Sequence, residues 1–175
     1  MKLLLQTERL IIRDYQKEDS EEALGFLGNK EAMYYLPEEV MTYEEVASFI
    51  KKQETKKEYY AVVLKETNQV IGHLYFTAFF GDHSYEIGWV FNPKFHKKGY
   101  ASESAEALMD YGFKELGIHR IIATCQPENI GSNKMMGQLG MRLEGEFKQC
   151  IPVNNGWWDE NYYAILVSEW TQKKA

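Results

Sequence analysis

Three strand-like runs followed by one long helical period most constrain what this chain can become. Tyr59 to Leu64, Val70 to Phe80 and Tyr85 to Phe91 are rich in Val, Ile, Tyr and Phe, separated by the turn-forming stretches TNQ and GDHS. That spacing predicts antiparallel hairpins. Beyond Gly99 the apolar period changes: Ala101, Ala105, Leu108, Met109, Gly112, Phe113 and Leu116 share one helical face, and Gly117 can stop the helix. His119 to Cys125 returns to a strand pattern.

The flanking segments extend the plan. Leu10 to Tyr15 reads as a first strand. Asp19-Ser20 offers cap chemistry to a helix through Ala23, Leu24 and Leu27 that Gly28 or Asn29 can end. Thr42 followed by Glu45 is a capping-box pattern for a second helix carrying Val46, Phe49 and Ile50 and reaching Lys57. Asn129 to Leu139 reads as a helix stopped by Gly140, and Met141 to Ile151 and Asn161 to Val167 as two closing strands. The expected order is β-αα-βββ-α-β-α-ββ, an α+β (mixed α/β) fold with a mixed sheet and helices on its faces. No repeat or proline-rich linker interrupts it, so residues 1–175 are expected to form a single domain.

With 45% hydrophobic and 14% aromatic residues in 175, the chain can bury a real core, which excludes global disorder. A net charge of −6 disfavours binding nucleic acid by bulk charge and suits cationic partners such as amines. The start MKLLLQTERL is too short for a signal-peptide apolar core, and no apolar run approaches the roughly 20 residues a bilayer requires. Cys125 and Cys150 make no disulfide framework. A cytoplasmic protein without membrane attachment is expected. His73, His83, His96 and His119 lack the spacing of a zinc site, so no metal is expected.

Two segments carry candidate chemistry. In the first, a strand runs into His96-Lys97-Lys98-Gly99-Tyr100-Ala101 and then a long helix. The first N–H groups of a helix have no intrahelical acceptor and the dipole is positive there, so this is either an anion site or a surface turn with two solvated lysines. It is neither a Walker loop nor a GxGxxG fingerprint. In the second segment, Pro127 to Lys134, Asn129 can cap a helix and also face a ligand, with Ser132 in the first turn.

Together these segments resemble the Gcn5-related N-acetyltransferase (GNAT) superfamily, most closely its ribosomal-protein N-terminal acetyltransferase branch. The resemblance runs through TERLIIRDYQKED, VIGHLYF, Tyr85 to Ala105, PENIGSNKMMGQLGMRLEG and YYAILVSEW. It implies a GNAT-like central sheet, mixed and mostly antiparallel, with helices on both faces. It also implies acetyl-coenzyme A (acetyl-CoA) as co-substrate. Lys97, Lys98, Gly99, Tyr100 and Ala101 would then cradle the pyrophosphate, although His96 stands where the family carries Gln or Arg. Trp89, Val90 and Phe91, in the fourth strand of the expected order, would pair their backbone with the pantetheine. Asn129 would contact coenzyme A. Many members place a Tyr acid seven residues after that Asn; here the position is Met136. The ribosomal-protein branch has a Ser three residues after it, and Ser132 matches as the group that protonates the leaving thiolate.

An amine attacks a thioester as its free base, so its proton needs an acceptor. The branch's Glu aligns with Ile151. Glu86, in its EIGW context, is the better alternative, with outward exposure on its strand as the competing reading. Glu146 is a weaker candidate, and water could serve an α-amine. Cys125 is more simply packing than a nucleophile. Trp157-Trp158 and Tyr162-Tyr163 could line an acceptor pocket, form a dimer contact or pack. The expected reaction is direct acetyl transfer to a primary amine, on a protein N-terminus beginning with Ser or Ala. A small amine such as a polyamine or antibiotic is the alternative acceptor, and a non-catalytic acyl-CoA sensor the alternative function. The fold also allows a homodimer, since strand-mediated dimers are common in it.

Overall fold

A computed structural model describes residues 3–174; Met1, Lys2 and Ala175, which the expected single domain includes, lie outside the described residues. Eight strands and five α-helices follow in the order β1 (Leu4–Gln6), β2 (Leu10–Asp14), α1 (Ser20–Leu27), α2 (Tyr43–Lys56), β3 (Tyr59–Leu64), β4 (Gln69–Ala78), β5 (Ser84–Phe91), α3 (Tyr100–Lys114), β6 (Arg120–Cys125), α4 (Ile130–Gln138), β7 (Arg142–Val153), β8 (Gly156–Leu166) and α5 (Val167–Lys174). The expected α+β class with a mostly antiparallel sheet holds. Three elements differ from expectation. Strand β1 precedes the expected first strand, so Trp89 to Phe91 falls in the fifth. Strand β8 begins at Gly156 rather than Asn161, closing a hairpin in which Val153 pairs with Gly156. The chain ends in a helix, where Val167 opens α5 instead of closing a strand.

The chain divides into two compact units, Met1–Phe76 with Trp89–Leu108, and Thr77–Gly88 with Met109–Ala175. In the first, strands β1 to β4 pair in sequence order, with antiparallel registers such as Leu5 opposite Ile12 and Ile12 opposite Val62. Its core joins Phe26 and Leu27 of α1, Val46 and Ile50 of α2, and Ala61, Val63 and Val70 of the strands. Helix α2 begins as its capping box predicts: the Glu45 N–H donates to Thr42 Oγ1 at 3.3 Å, and the Thr42 N–H donates to Glu45 Oε2 at 2.7 Å. A polar pair is buried in this unit, Tyr15 Oη against His73 Nδ1 at 2.9 Å. Burial pulls the His73 imidazole down to about 3, so it stays neutral, as a ring among Tyr15, Phe26, Phe49 and Tyr59 must.

In the second unit β5 runs parallel to β6, with Ser84, Tyr85 and Glu86 opposite Arg120, Ile121 and Ile122. Strand β8 lies antiparallel between β6 and β7. Helix α5 docks through Trp170, which is 2% exposed, and its indole N–H donates to Asp110 Oδ1 at 2.6 Å.

One close approach fixes the end of β5. A Cβ built at Gly72 would meet Phe91 Cδ1 and the Val90 carbonyl oxygen, each at 2.6 Å. A backbone oxygen cannot swing aside as a side chain can. Gly72→Ala is therefore expected to cost roughly 1–3 kcal/mol of stability, read from urea unfolding with an unchanged m value. Unfolding at the wild-type urea concentration would refute the tight approach.

Candidate active site

In the first unit the site residues follow the end of β5. Val90 and Phe91 bury their side chains (8% and 6% exposed), so what these positions can offer a ligand is backbone. The chain then makes one short turn of 3₁₀ helix, Pro93–Phe95, capped by Asn92, whose Oδ1 accepts from the Lys94 N–H at 3.1 Å. His96 does not present its imidazole to a phosphate. Its Nε2 lies 2.9 Å from the Phe91 carbonyl, which can only accept, so Nε2 carries the proton and staples the turn. Lys97 takes φ +60° and Gly99 φ +80°, the left-handed conformation that Gly adopts without strain. Tyr100 then opens α3. The first i→i−4 bond runs from the Glu103 N–H to the Gly99 carbonyl at 3.0 Å, so the N–H groups of Tyr100, Ala101 and Ser102 precede it and have no intrahelical acceptor. Exposed Lys97 and Lys98 flank these donors.

In the second unit the register gathers an acidic face. Glu86 lies opposite Ile122, and Thr124, two residues further along β6, lies opposite Tyr162 of β8. Strand alternation therefore puts Glu86, Thr124, Glu160 and Tyr162 on one side. Both glutamates are half-buried, and the Thr124 hydroxyl on the same face acts to lower each carboxyl. Desolvation, and then the Glu160 charge, push the Glu86 carboxyl up against the opposing pull of Thr124. Desolvation likewise raises Glu160. Glu86 is thus no solvated outward-facing residue. Glu146 is exposed on β7.

Glu160 escaped the sequence reading because the closing strand was expected to start at Asn161. Extending that strand to Gly156 would have exposed the signal, since position 160 then shares alternation with Tyr162. Met136 is fully buried and Ile151 sits opposite Trp158, so neither supplies an acid or a base. Cys125 is 5% exposed and burial, reinforced by the Glu160 charge, pushes its thiol up to about 12; it is a packing residue.

At the end of β6, Asn129 caps α4, with Oδ1 accepting from the Ser132 N–H at 3.1 Å. The cap uses Oδ1, and Nδ2 is the donor this side chain can offer a ligand. Ser132 is half-buried in the first helical turn. Asn133, unnoticed in the sequence, holds the region together. Its Nδ2 donates to the carbonyls of Gln126 (3.0 Å), Pro127 (3.3 Å) and Asn129 (2.8 Å), and its Oδ1 accepts from Asn161 Nδ2 (2.9 Å) and Tyr163 Oη (3.0 Å). The Asn161 Oδ1 is buried with no partner, an acceptor left for an incoming donor. Among the described residues no group of three or more His, Cys, Asp or Glu could hold a metal ion.

The helix start of the first unit is suited to a phosphate-bearing ligand. Comparison with known proteins makes this specific. Residues 9–142 match the model of the acetyltransferase (GNAT) domain. The uncharacterized N-acetyltransferase YnaD of Bacillus subtilis (strain 168) is 50% identical over 167 residues, 95% of this chain and 98% of that one. The crystal structure of an acetyltransferase (GNAT family) from Bacillus anthracis superposes with a TM-score of 0.92 at 49% identity, covering 95% of this chain and 99% of that one. The apo structure of RimL, a ribosomal L7/L12 alpha-N-protein acetyltransferase, shares the fold (TM-score 0.82, 23% identity, 95% of each chain). The chain belongs to the GNAT family. It is an N-acetyltransferase, of a family that uses acetyl-CoA.

The acid pair yields a direct test. Replacing Glu160 by Gln removes the charge that helps to raise Glu86. NMR titration of the Glu86 carboxyl should show its midpoint falling in E160Q relative to wild type. An unmoved midpoint would mean the two carboxyls do not interact.

Proposed function

We propose that residues 1–175 act as one acetyltransferase domain that moves the acetyl group of acetyl-CoA to a primary amine by direct attack in a ternary complex. The observation that carries this reading is the Glu86 carboxyl, half-buried beside Glu160 and raised above its ordinary value. A carboxylate of raised basicity is the better proton acceptor near neutral pH. The amine lone pair attacks the thioester carbonyl carbon, the C–S bond breaks, and the amine proton passes to Glu86. The departing thiolate takes a proton from the Ser132 hydroxyl, which solvent restores. The backbone of Trp89, Val90 and Phe91 pairs with the pantetheine, the turn from Lys97 to Ala101 receives the pyrophosphate, and Asn129 contacts coenzyme A.

For the acceptor we take a protein N-terminal amine on Ser or Ala, as expected from the ribosomal-protein branch. An α-amine with a pKa near 7.7–8.0 is far less protonated at pH 7 than a Lys-like amine near 10.4, so less is asked of the base. A likeness at 23% identity carries the fold and leaves the acceptor open. The two acid groups on one face favour a second reading, a small diamine or polyamine whose further cation pairs with Glu160. Two free cysteines, Cys125 and Cys150, suit the reducing cytoplasm expected of the protein, and no helix among the described residues is long and apolar enough to cross a membrane.

Acetyl-CoA-dependent thiol release should be measured across N-terminal peptides and small amines, with acceptor-free controls. Turnover on peptides beginning with Ser or Ala is expected. Turnover confined to polyamines or aminoglycosides would discard the peptide acceptor and keep the chemistry. Silence with acetyl-CoA still bound would turn the reading to a sensor. On the best acceptor, Glu86→Gln should lower kcat by about 10²-fold or more, and Ser132→Ala should slow turnover while leaving acetyl-CoA affinity near wild type. Full activity in both variants would remove these residues from the mechanism.

A further inference from the structure

The N-terminal turn of α3 contains an acid that should hinder the very ligand proposed for it. A carboxylate in the first turn of a helix is attracted by the same unpaired N–H groups and positive dipole that attract a phosphate, and it repels a second anion nearby. Glu103 stands there. Its oxygens are turned to other partners. Oε1 accepts from the Thr7 hydroxyl at 2.5 Å and the Arg9 N–H at 3.0 Å; Oε2 accepts from Arg9 Nε at 2.7 Å and pairs with Arg9 Nη2 at 2.6 Å. The remaining terminal nitrogen of Arg9, Nη1, donates to the Lys98 carbonyl at 3.0 Å. The guanidinium lies over the Tyr100 ring, 4.6 Å from its centroid. A Cβ added to Gly99 would meet Arg9 Nη2 at 3.4 Å, so the cation is packed against the turn itself.

We infer that Arg9 is a positioning residue for this turn: it neutralises Glu103 and ties back the Lys98 carbonyl, leaving the N–H groups of Tyr100, Ala101 and Ser102 for a phosphate. The inference rests on the proposal that the turn receives the pyrophosphate of acetyl-CoA. A purely stabilising role explains the arrangement less well. The pair is partly exposed, with Arg9 43% and Glu103 19% accessible, and such pairs generally contribute little to stability. The planar fork of Arg matters as well as its charge. One guanidinium grips a carboxylate along one edge, a carbonyl at another corner and a ring through its face, which a lysine ammonium cannot do together.

The test compares two ligands by calorimetry on the full chain. Acetyl-CoA carries the pyrophosphate; acetyl-pantetheine keeps the thioester and lacks it. Arg9→Met should weaken acetyl-CoA binding by about tenfold and leave acetyl-pantetheine binding unchanged, with Arg9→Lys in between. Arg9→Gln takes its place if Met disturbs folding. Adding Glu103→Gln to Arg9→Met should recover at least about threefold of the loss, because the unneutralised charge is then gone. Wild-type acetyl-CoA affinity in Arg9→Met, or equal weakening toward both ligands, would overturn the positioning role. Failure of the underlying proposal looks different: wild type itself would bind the two ligands equally.

Discussion

Strand β5 contributes to both compact units, Ser84–Gly88 to one and Trp89–Phe91 to the other, so neither is complete without it. Its first half is held by parallel pairing to β6, which settles the face on which Glu86 lies. Its second half is held where a glycine in β4 lets the Val90 carbonyl come closer than any side chain would permit, and where the Asn92 N–H reaches the Ile71 carbonyl at 2.9 Å. The chain leaves that anchored end directly into the turn that opens α3. The start of the anion-receptive turn is thus set by the anchored end of this strand.

Most of the architecture was legible because it is written in local periodicity. The strands Tyr59–Leu64 and Ser84–Phe91 and the helix from Tyr100 show it in their apolar spacing, and Thr42 with Glu45 marks a helix start through contacts that span only three residues. What was missed has a physical reason in each case. Strand β1 is three residues long and becomes a strand by pairing with β2, not by composition. Helix α5 has a short, charged sequence whose one large apolar anchor, Trp170, means little until Phe113 and Asp110 are beside it. The start of β8 was hidden by GWWDE, which shows no clean alternation.

The site divides along the same line. Backbone-carried features, a glycine turn and a capped helix start, were readable from residue type and order. Side-chain networks between distant segments were not. Asn133 looks like an ordinary polar residue inside a helix, yet one carboxamide satisfies three carbonyls and two donors. Glu160 becomes chemically interesting through Thr124, which stands on another strand 36 positions earlier. Register decides such meetings, and register is a property of the folded sheet.

The charge of the chain shows why bulk quantities inform so little about chemistry. At −6 the molecule should repel a polyphosphate, yet its basic turn, Lys97-Lys98-Gly99, sits where helix N–H groups already favour an anion and where the nearest acid, Glu103, is occupied by Arg9. Glu86 and Glu160, the acids proposed to meet an amine, are half-buried, and desolvation raises both carboxyls above their ordinary range. In the proposed reading, attraction for a cationic acceptor and basicity toward its proton come from the same two carboxyls. That combination is unavailable to a glutamate in open water, whose ordinary pKa leaves it charged but a poor proton acceptor. Burial beside a second acid makes the ionised form costly, and the same cost makes it a stronger base.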